Sequence, residues 1–125
     1  MNQHPKPKKM NQQKNLEISS YHAHVYFITS AERQIAGIVR KEIFKRFEVK
    51  IGRWRDKPVG PHPIPMYQIA FDANLFSDIL FWLMFNRKGL TILIHPNTDN
   101  SALDHLDYAI WMGQILELNM SAFQN

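Results

Sequence analysis

Two histidines separated by one residue, His22 and His24, are the clearest chemical feature of this 125-residue chain. The segment that contains them, Tyr21–Phe27, has the composition and alternation of a β-strand. Because successive side chains of a strand point to opposite faces, both imidazoles should point the same way. Neutral imidazole binds zinc, iron, copper and nickel well. The spacing therefore predicts two metal ligands on one strand face, with an ordinary polar face as the simpler alternative.

Three more histidines could join this pair. His62 lies in a proline-rich stretch, His95 precedes a proline at the end of a predicted strand, and His105 lies in a predicted C-terminal helix beside Asp104. The sixth histidine, His4, belongs to a tail rich in Pro, Gln, Asn and Lys.

The hydrophobic pattern predicts alternating strands and helices around these residues. Apolar residues at helical spacing indicate three helices, the first of them N-capped by Ser30. Four prolines within residues 58–65 exclude regular structure there. The expected strands are 20–28, 49–54, 66–71 and 90–94, and the expected helices are 31–47, 75–86 and 102–116.

This order predicts an α+β fold of the ferredoxin-like βαββαβ type, with a four-stranded antiparallel sheet in the order 4-1-3-2 and an added C-terminal helix. The first strand is then central, and its start meets the end of the fourth, which brings His22 and His24 towards His95. Tyr26 and Gln68 should share this polar face, and the last helix or a second subunit should cover it. The simple topology leaves His62 far from His22, unless its loop folds over or a partner chain supplies it.

Composition limits the other possibilities. We expect a flexible basic tail over 1–19, a single domain over 20–118 and a C-terminal tail over 119–125. The chain has no cysteine, which excludes disulfides and thiolate metal sites. The net charge of +4 is concentrated in the tail lysines, so a nucleic-acid partner is not expected. No apolar run could cross a membrane and no signal peptide is evident, so we expect a cytoplasmic protein.

Four motifs in order resemble the DOPA 4,5-dioxygenase family of small bacterial and fungal proteins. They are Tyr21–Phe27, Pro58–Pro63, Leu93–Thr98, and Asp104-His105 followed by Ala109–Gly113. The resemblance covers nearly the whole predicted domain. It implies a ferredoxin-like domain, commonly a homodimer, that cleaves a catechol ring with O2 and non-haem Fe(II).

The resemblance also implies roles for particular residues. We expect His22, His24 and His95 to bind the metal, with zinc or nickel as replacements after purification. We expect His62 and His105 to be catalytic, with His62 either a ligand or a general acid/base. Four side chains could contact the substrate: Arg53, Arg55, Gln68 and Tyr26. An exposed basic strand edge is the simpler interpretation of the two arginines, and Gln68 could instead pair with a buried backbone group. Carboxylate ligands have weaker support, and the candidates are Glu17, Asp72 and Asp104.

Two positions depart from the family pattern. Tyr108 stands where the family often has a second histidine, and Arg55 stands where it often has another. The main alternative function is a non-catalytic dimer of the same fold that binds a metal or a small molecule. An RNA-binding sheet shares the element order, but the third strand lacks the Lys/Arg-Gly-Phe-x-Phe signature.

Overall fold

The computed structural model describes residues 17–124, so most of the predicted N-terminal tail lies outside the described part. Three α-helices and two 3-10 turns surround five strands in this part. The strands are β1 (Ser20–Tyr26), β2 (Lys50–Ile51), β3 (Met66–Asp72), β4 (Ile92–Pro96) and β5 (Ile110–Met112). The helices are α1 (Ser30–Arg46), α2 (Phe76–Asn86) and α3 (Ser101–Asp104), and the 3-10 turns are Ala73–Leu75 and Met120–Phe123. None of these helices is long and apolar enough to span a membrane.

The strands form one antiparallel sheet in the order β2-β3-β1-β4-β5. The α+β class is confirmed, and β1 is central, hydrogen-bonded to β3 on one side and to β4 on the other. The predicted four-stranded sheet is wrong because β5 adds a fifth strand beside β4.

The predicted helix over 102–116 is also wrong. α3 ends at Asp104, and the chain then turns and enters β5. Leu103, Leu106 and Ile110 are spaced as on a helix, but apolar runs this short do not distinguish helix from strand. Residues 110–112 form a strand because they pair with β4, and Gly113, at φ +84°, turns the chain out of that strand.

One face of the sheet packs on α1 and α2. Ala23 and Val25 of β1 meet the buried side of α1, and Ile79 and Leu83 come from α2. The N-cap of α1 is Thr29 and not Ser30, because Thr29 and Glu32 form a reciprocal capping box.

The opposite face is covered by the chain's own C-terminal segment, which is irregular over residues 114–119 where a helix was predicted up to 116. Tyr26, Met66 and Leu93 are buried there, packed against Trp111 and Leu116 among others. The face that carries His22 and His24 is therefore partly closed within one chain.

Candidate metal centre

Strand register places three histidines together on this second face. His22 lies directly opposite His95 on β4, and His24 lies opposite Leu93 on β4 and Gln68 on β3. β4 ends at Pro96 and not at Ile94 as predicted, so His95 belongs to the strand itself. One potential ligand atom from each of His22, His24 and His95 lies within 4.8 Å of the others. The structure thus brings together the three predicted ligands, while their binding of a metal stays a prediction.

The proline-rich loop folds over the sheet and adds His62 from the same chain. The His62 ring centroid is 4.1 Å from that of His24. A backbone hydrogen bond of 2.8 Å, from the Asn119 amide to the Pro61 carbonyl, ties the loop to the C-terminal segment. No partner chain is needed to supply His62.

His105 reaches the cluster from the C-cap of α3. Its ring centroid is 4.0 Å from that of His95. With His24 and His62 it forms a second group whose potential ligand atoms all lie within 4.8 Å of one another. Five histidines thus line one pocket of about 230 Å³.

Backbone carbonyls fix the protonation of two rings. The Nδ1 atom of His95 is 2.8 Å from the Pro96 carbonyl oxygen, and that of His105 is 2.7 Å from the Ser101 carbonyl oxygen. A carbonyl can only accept, so both Nδ1 atoms carry the hydrogen and each Nε2 of the neutral rings is an acceptor. This pattern is common in metal-binding histidines. Nε2 of His95 faces Nε2 of His24 at hydrogen-bond distance.

Burial keeps most of the cluster neutral. It lowers the pKa of His62 and of His95 to about 4, helped by the neighbouring histidines. It also lowers the pKa of His22 and, to a greater degree, that of His24. At neutral pH these imidazoles are therefore uncharged, as ligation requires.

Carboxylates are absent from both metal-sized groups among the described residues. Asp104 is buried in the pocket wall, but its carboxylate accepts hydrogen bonds from the backbone and hydroxyl of Thr98. Its role is to hold the turn that follows β4. The site is an all-imidazole one over residues 17–124.

The donor set fits a borderline transition metal. The Nε2 atoms of His24 and His95 are 3.0 Å apart. Two nitrogens about 2.1 Å from one ion are about 3 Å apart when the angle at the ion is near a right angle. The Nδ1 atom of His24 is buried without a hydrogen-bond partner in the described part of the chain. This nitrogen is not the one that faces His95, so His24 has an unpartnered nitrogen besides the one in that pair.

A second cavity of about 250 Å³ adjoins the histidine pocket and shares His24, His62 and Gln68 with it. Arg53 and Arg55 also line this second cavity. β2 is shorter than predicted, and the chain after it stays beside β3 through a bridge between Arg55 and Met66. Neither arginine forms a salt bridge within residues 17–124.

Tyr26 occupies a different place from the other predicted substrate contacts. It is buried, it stacks on Trp111, and its hydroxyl is 2.7 Å from Nδ1 of His62. Neither cavity has Tyr26 in its wall. The structure therefore places Tyr26 behind His62.

Phe123 is the site residue that sequence analysis missed. Its ring lies 4.8 Å from that of His105 and lines the histidine pocket. The predicted C-terminal tail in fact contains an ordered 3-10 turn, capped by Asn119. A capping Asn two residues before Ser121 is the one local signal that could have indicated this turn.

Tyr108, one of the two departures from the family pattern, lies outside the histidine pocket. It lines a separate depression with Tyr21 and Phe76. Arg55, the other departure, faces the adjoining cavity.

The fold and the cluster define an α+β domain with a histidine-rich candidate metal centre. The Dopa 4,5-dioxygenase family model matches residues 21–122. The chain belongs to the DOPA 4,5-dioxygenase family, as the resemblance of its four motifs predicted.

Individual relatives agree with this assignment. A DOPA 4,5-dioxygenase of Amanita muscaria is 32% identical over 113 residues, which are 84% of this chain and 50% of the relative. An uncharacterised 21.2 kDa protein of Botryotinia fuckeliana is 31% identical over 115 residues, 82% of this chain and 62% of that protein. The chain thus spans about half to three fifths of the length of these curated relatives.

A solved structure has a higher sequence identity to this chain than these two relatives have. The crystal structure of a Nostoc punctiforme protein, described as a "putative dioxygenase", is 50% identical with a TM-score of 0.83, covering 86% of this chain and 92% of that one. The family name and the neighbour's name both indicate a dioxygenase.

Proposed function

We propose that this protein is a metal-dependent extradiol dioxygenase that cleaves the ring of a catechol such as DOPA with O2. The observation that carries the proposal is the convergence of His22, His24 and His95, whose potential ligand atoms lie within 4.8 Å of one another. Non-haem Fe(II) is the metal we expect, with zinc or nickel able to replace it.

Three neutral imidazoles suit this chemistry. A bound Fe(II) would supply a centre at which a catechol and O2 meet. Because the ligands are uncharged, they leave the positive charge of the ion uncompensated, which favours an anionic catecholate as the further ligand.

The adjoining cavity supports a substrate with an acidic side chain. Arg53 and Arg55 face this cavity without carboxylate partners in the described residues, and a guanidinium binds a carboxylate through paired hydrogen bonds. Gln68 lies between the arginines and the histidines and can hydrogen-bond a substrate hydroxyl. A catechol ring at the histidines with its carboxylate towards the arginines would occupy both cavities.

His62 is a hydrogen-bond donor to the substrate in this proposal. The Tyr26 hydroxyl is buried, and its hydrogen-bond partner among residues 17–124 is Nδ1 of His62. Burial raises the pKa of Tyr26, so the phenol keeps its hydrogen and donates it to Nδ1. Neutral His62 then carries its own hydrogen on Nε2, across the ring. This arrangement favours a hydrogen-bond donor over a metal ligand.

His105 is the complementary base. Its Nδ1 hydrogen is donated to Ser101, so Nε2 has a free lone pair to accept a catechol proton. The two predicted catalytic histidines thus take different parts, since His105 accepts a proton and neutral His62 donates a hydrogen bond.

Reconstitution with iron tests the proposal. Protein loaded anaerobically with Fe(II) should turn DOPA yellow when air is admitted, because ring opening extends conjugation in the product. His22→Ala and His95→Ala should each lose stoichiometric iron while keeping the folded circular dichroism spectrum, and His4→Ala is the matched control. Stoichiometric iron without yellow product from DOPA, caffeate or protocatechuate would contradict the proposal and favour a non-catalytic binding domain.

We also propose that the protein is a homodimer, as the resemblance implies. Light scattering on a sizing column should give twice the chain mass of 14.7 kDa. A single-chain mass at micromolar concentration would contradict this part of the proposal without affecting the chemistry, because all five histidines come from one chain.

A further inference from the structure

Most residues that line the histidine pocket are polar. Its wall consists of five histidines and several other polar side chains, and Pro61 and Phe123 are the apolar members among the described residues. An aromatic ring bound here would meet mainly imidazole rings, and Phe123 supplies the benzene ring in the wall. Aromatic rings bind best where another ring or an apolar side chain covers a face.

Phe123 is placed to cover such a face. Its ring is inclined by 41° to that of His105, with the centroids 4.8 Å apart. The ring of His105 lies close to that of His95, so Phe123 stands at the edge of the predicted metal ligands.

The segment that carries Phe123 is held against the site. The Asn119 amide donates to Pro61 in the loop that bears His62, over 2.8 Å. The Asn119 side chain accepts from Ser121, and the Gln124 amide donates to the Ser121 carbonyl. These bonds fix the 3-10 turn Met120–Phe123 on the loop and so set the position of the Phe123 ring.

We infer that Phe123 is a specificity-determining residue whose ring contacts the face of the bound catechol. This inference rests on the proposed function, since it needs an aromatic substrate at the histidines. Phe123 selects flat aromatic ligands and takes no part in proton transfer.

The test uses 4-nitrocatechol, whose absorption spectrum changes when it ionises on a metal. Anaerobic Fe(II)-loaded wild-type protein, Phe123→Ala and Phe123→Leu are titrated, and iron content and melting temperature are measured for each. We expect Phe123→Ala to bind 4-nitrocatechol roughly 3- to 10-fold more weakly with unchanged iron content. The affinity of Phe123→Leu for 4-nitrocatechol should lie between those of wild type and Phe123→Ala, because leucine keeps an apolar side chain. Ile115→Ala, in the same segment and 79% exposed, should match wild type.

The possible results separate a failure of the proposed function from a failure of the inference about Phe123. If iron-loaded wild-type protein does not bind 4-nitrocatechol, the proposed function fails and the inference fails with it. If wild type binds and Phe123→Ala binds equally well, the inference is overturned while the proposed function stands. If Phe123→Ala keeps its affinity but loses turnover at saturating DOPA, Phe123 acts by positioning His105, which also overturns the inference.

Discussion

At the residue scale, the five-histidine cluster makes stability depend on pH. His62 and His95 have folded-state pKa values of about 4, whereas an unfolded histidine titrates near 6.5. Protons therefore bind the unfolded chain first as the pH falls. The contribution of His62 and His95 to the free energy of unfolding is fully present above about pH 6.5. It is lost as the pH falls from there to about pH 4.

We accordingly expect metal-free protein to lose stability between pH 7 and pH 5. The loss is up to about 2 kcal/mol for each of His62 and His95, since a shift of one pKa unit corresponds to about 1.4 kcal/mol. Urea denaturation at stepped pH measures it, and His62→Gln should show a shallower dependence. If the free energy of unfolding depended equally on pH in the wild type and in His62→Gln, the buried His62 would not be a source of the pH dependence.

Tyr26 provides a second prediction at this scale. Tyr26→Phe removes the hydroxyl that donates to His62 and leaves a buried Nδ1 atom without a partner. We expect the free energy of unfolding to fall by about 1 kcal/mol. The turnover number should fall while iron content stays unchanged, because the His62 ring can then adopt the other tautomer. Steady-state kinetics across pH checks this, and an unchanged turnover number and pH profile would remove Tyr26 from the mechanism.

At the element scale, α1 begins with a capping box that fixes the chain just after the histidine strand. Thr29 accepts from the Glu32 amide, and Glu32 accepts from the Thr29 amide. Thr29→Ala should lower the free energy of unfolding by about 1 kcal/mol. Ser30→Ala, one residue later and inside the helix, should have little effect. Denaturant titration of both variants distinguishes them, and the reverse ranking would show that the helix begins later.

The elements differ in how far the sequence determines them. β1 and α1 were predictable because their apolar residues follow one period over many residues, and the approach of His22 and His24 to His95 followed from antiparallel pairing. The register that places His22 directly opposite His95 was not predicted. The path of the proline-rich loop was not predictable. It depends on the bond between Asn119 and Pro61, which are far apart in the chain. The same bond holds the turn that carries Phe123, so the capping Asn119 could indicate the turn locally but not its contact with His105.

At the scale of the whole molecule, the candidate site joins segments from most of the chain. His24 lies near the start of the domain, His62 in its middle and His105 near its end. A metal bound by such residues binds the folded state and not the unfolded chain, and so it stabilises the fold by mass action.

We expect the melting temperature to rise on loading with Zn²⁺ or anaerobic Fe²⁺. Free metal at 100 times its dissociation constant adds about 2.7 kcal/mol to the free energy of unfolding. Differential scanning calorimetry at several metal concentrations measures the shift. His24→Ala should abolish it because this residue belongs to both histidine groups. A melting temperature that does not respond to metal in the wild type would exclude a specific site.

The division of the cluster between sheet and loops has a consequence for how such a protein can diversify. His22 and His24 lie on a strand hydrogen-bonded on both sides, and His95 lies on its neighbour, so changes around them disturb the centre of the sheet. His62, His105 and Phe123 lie in connecting segments, where sequence change is tolerated more readily. Mutant libraries selected for activity on new catechols should therefore accumulate substitutions in the proline-rich loop and after α3, while the strand histidines stay fixed.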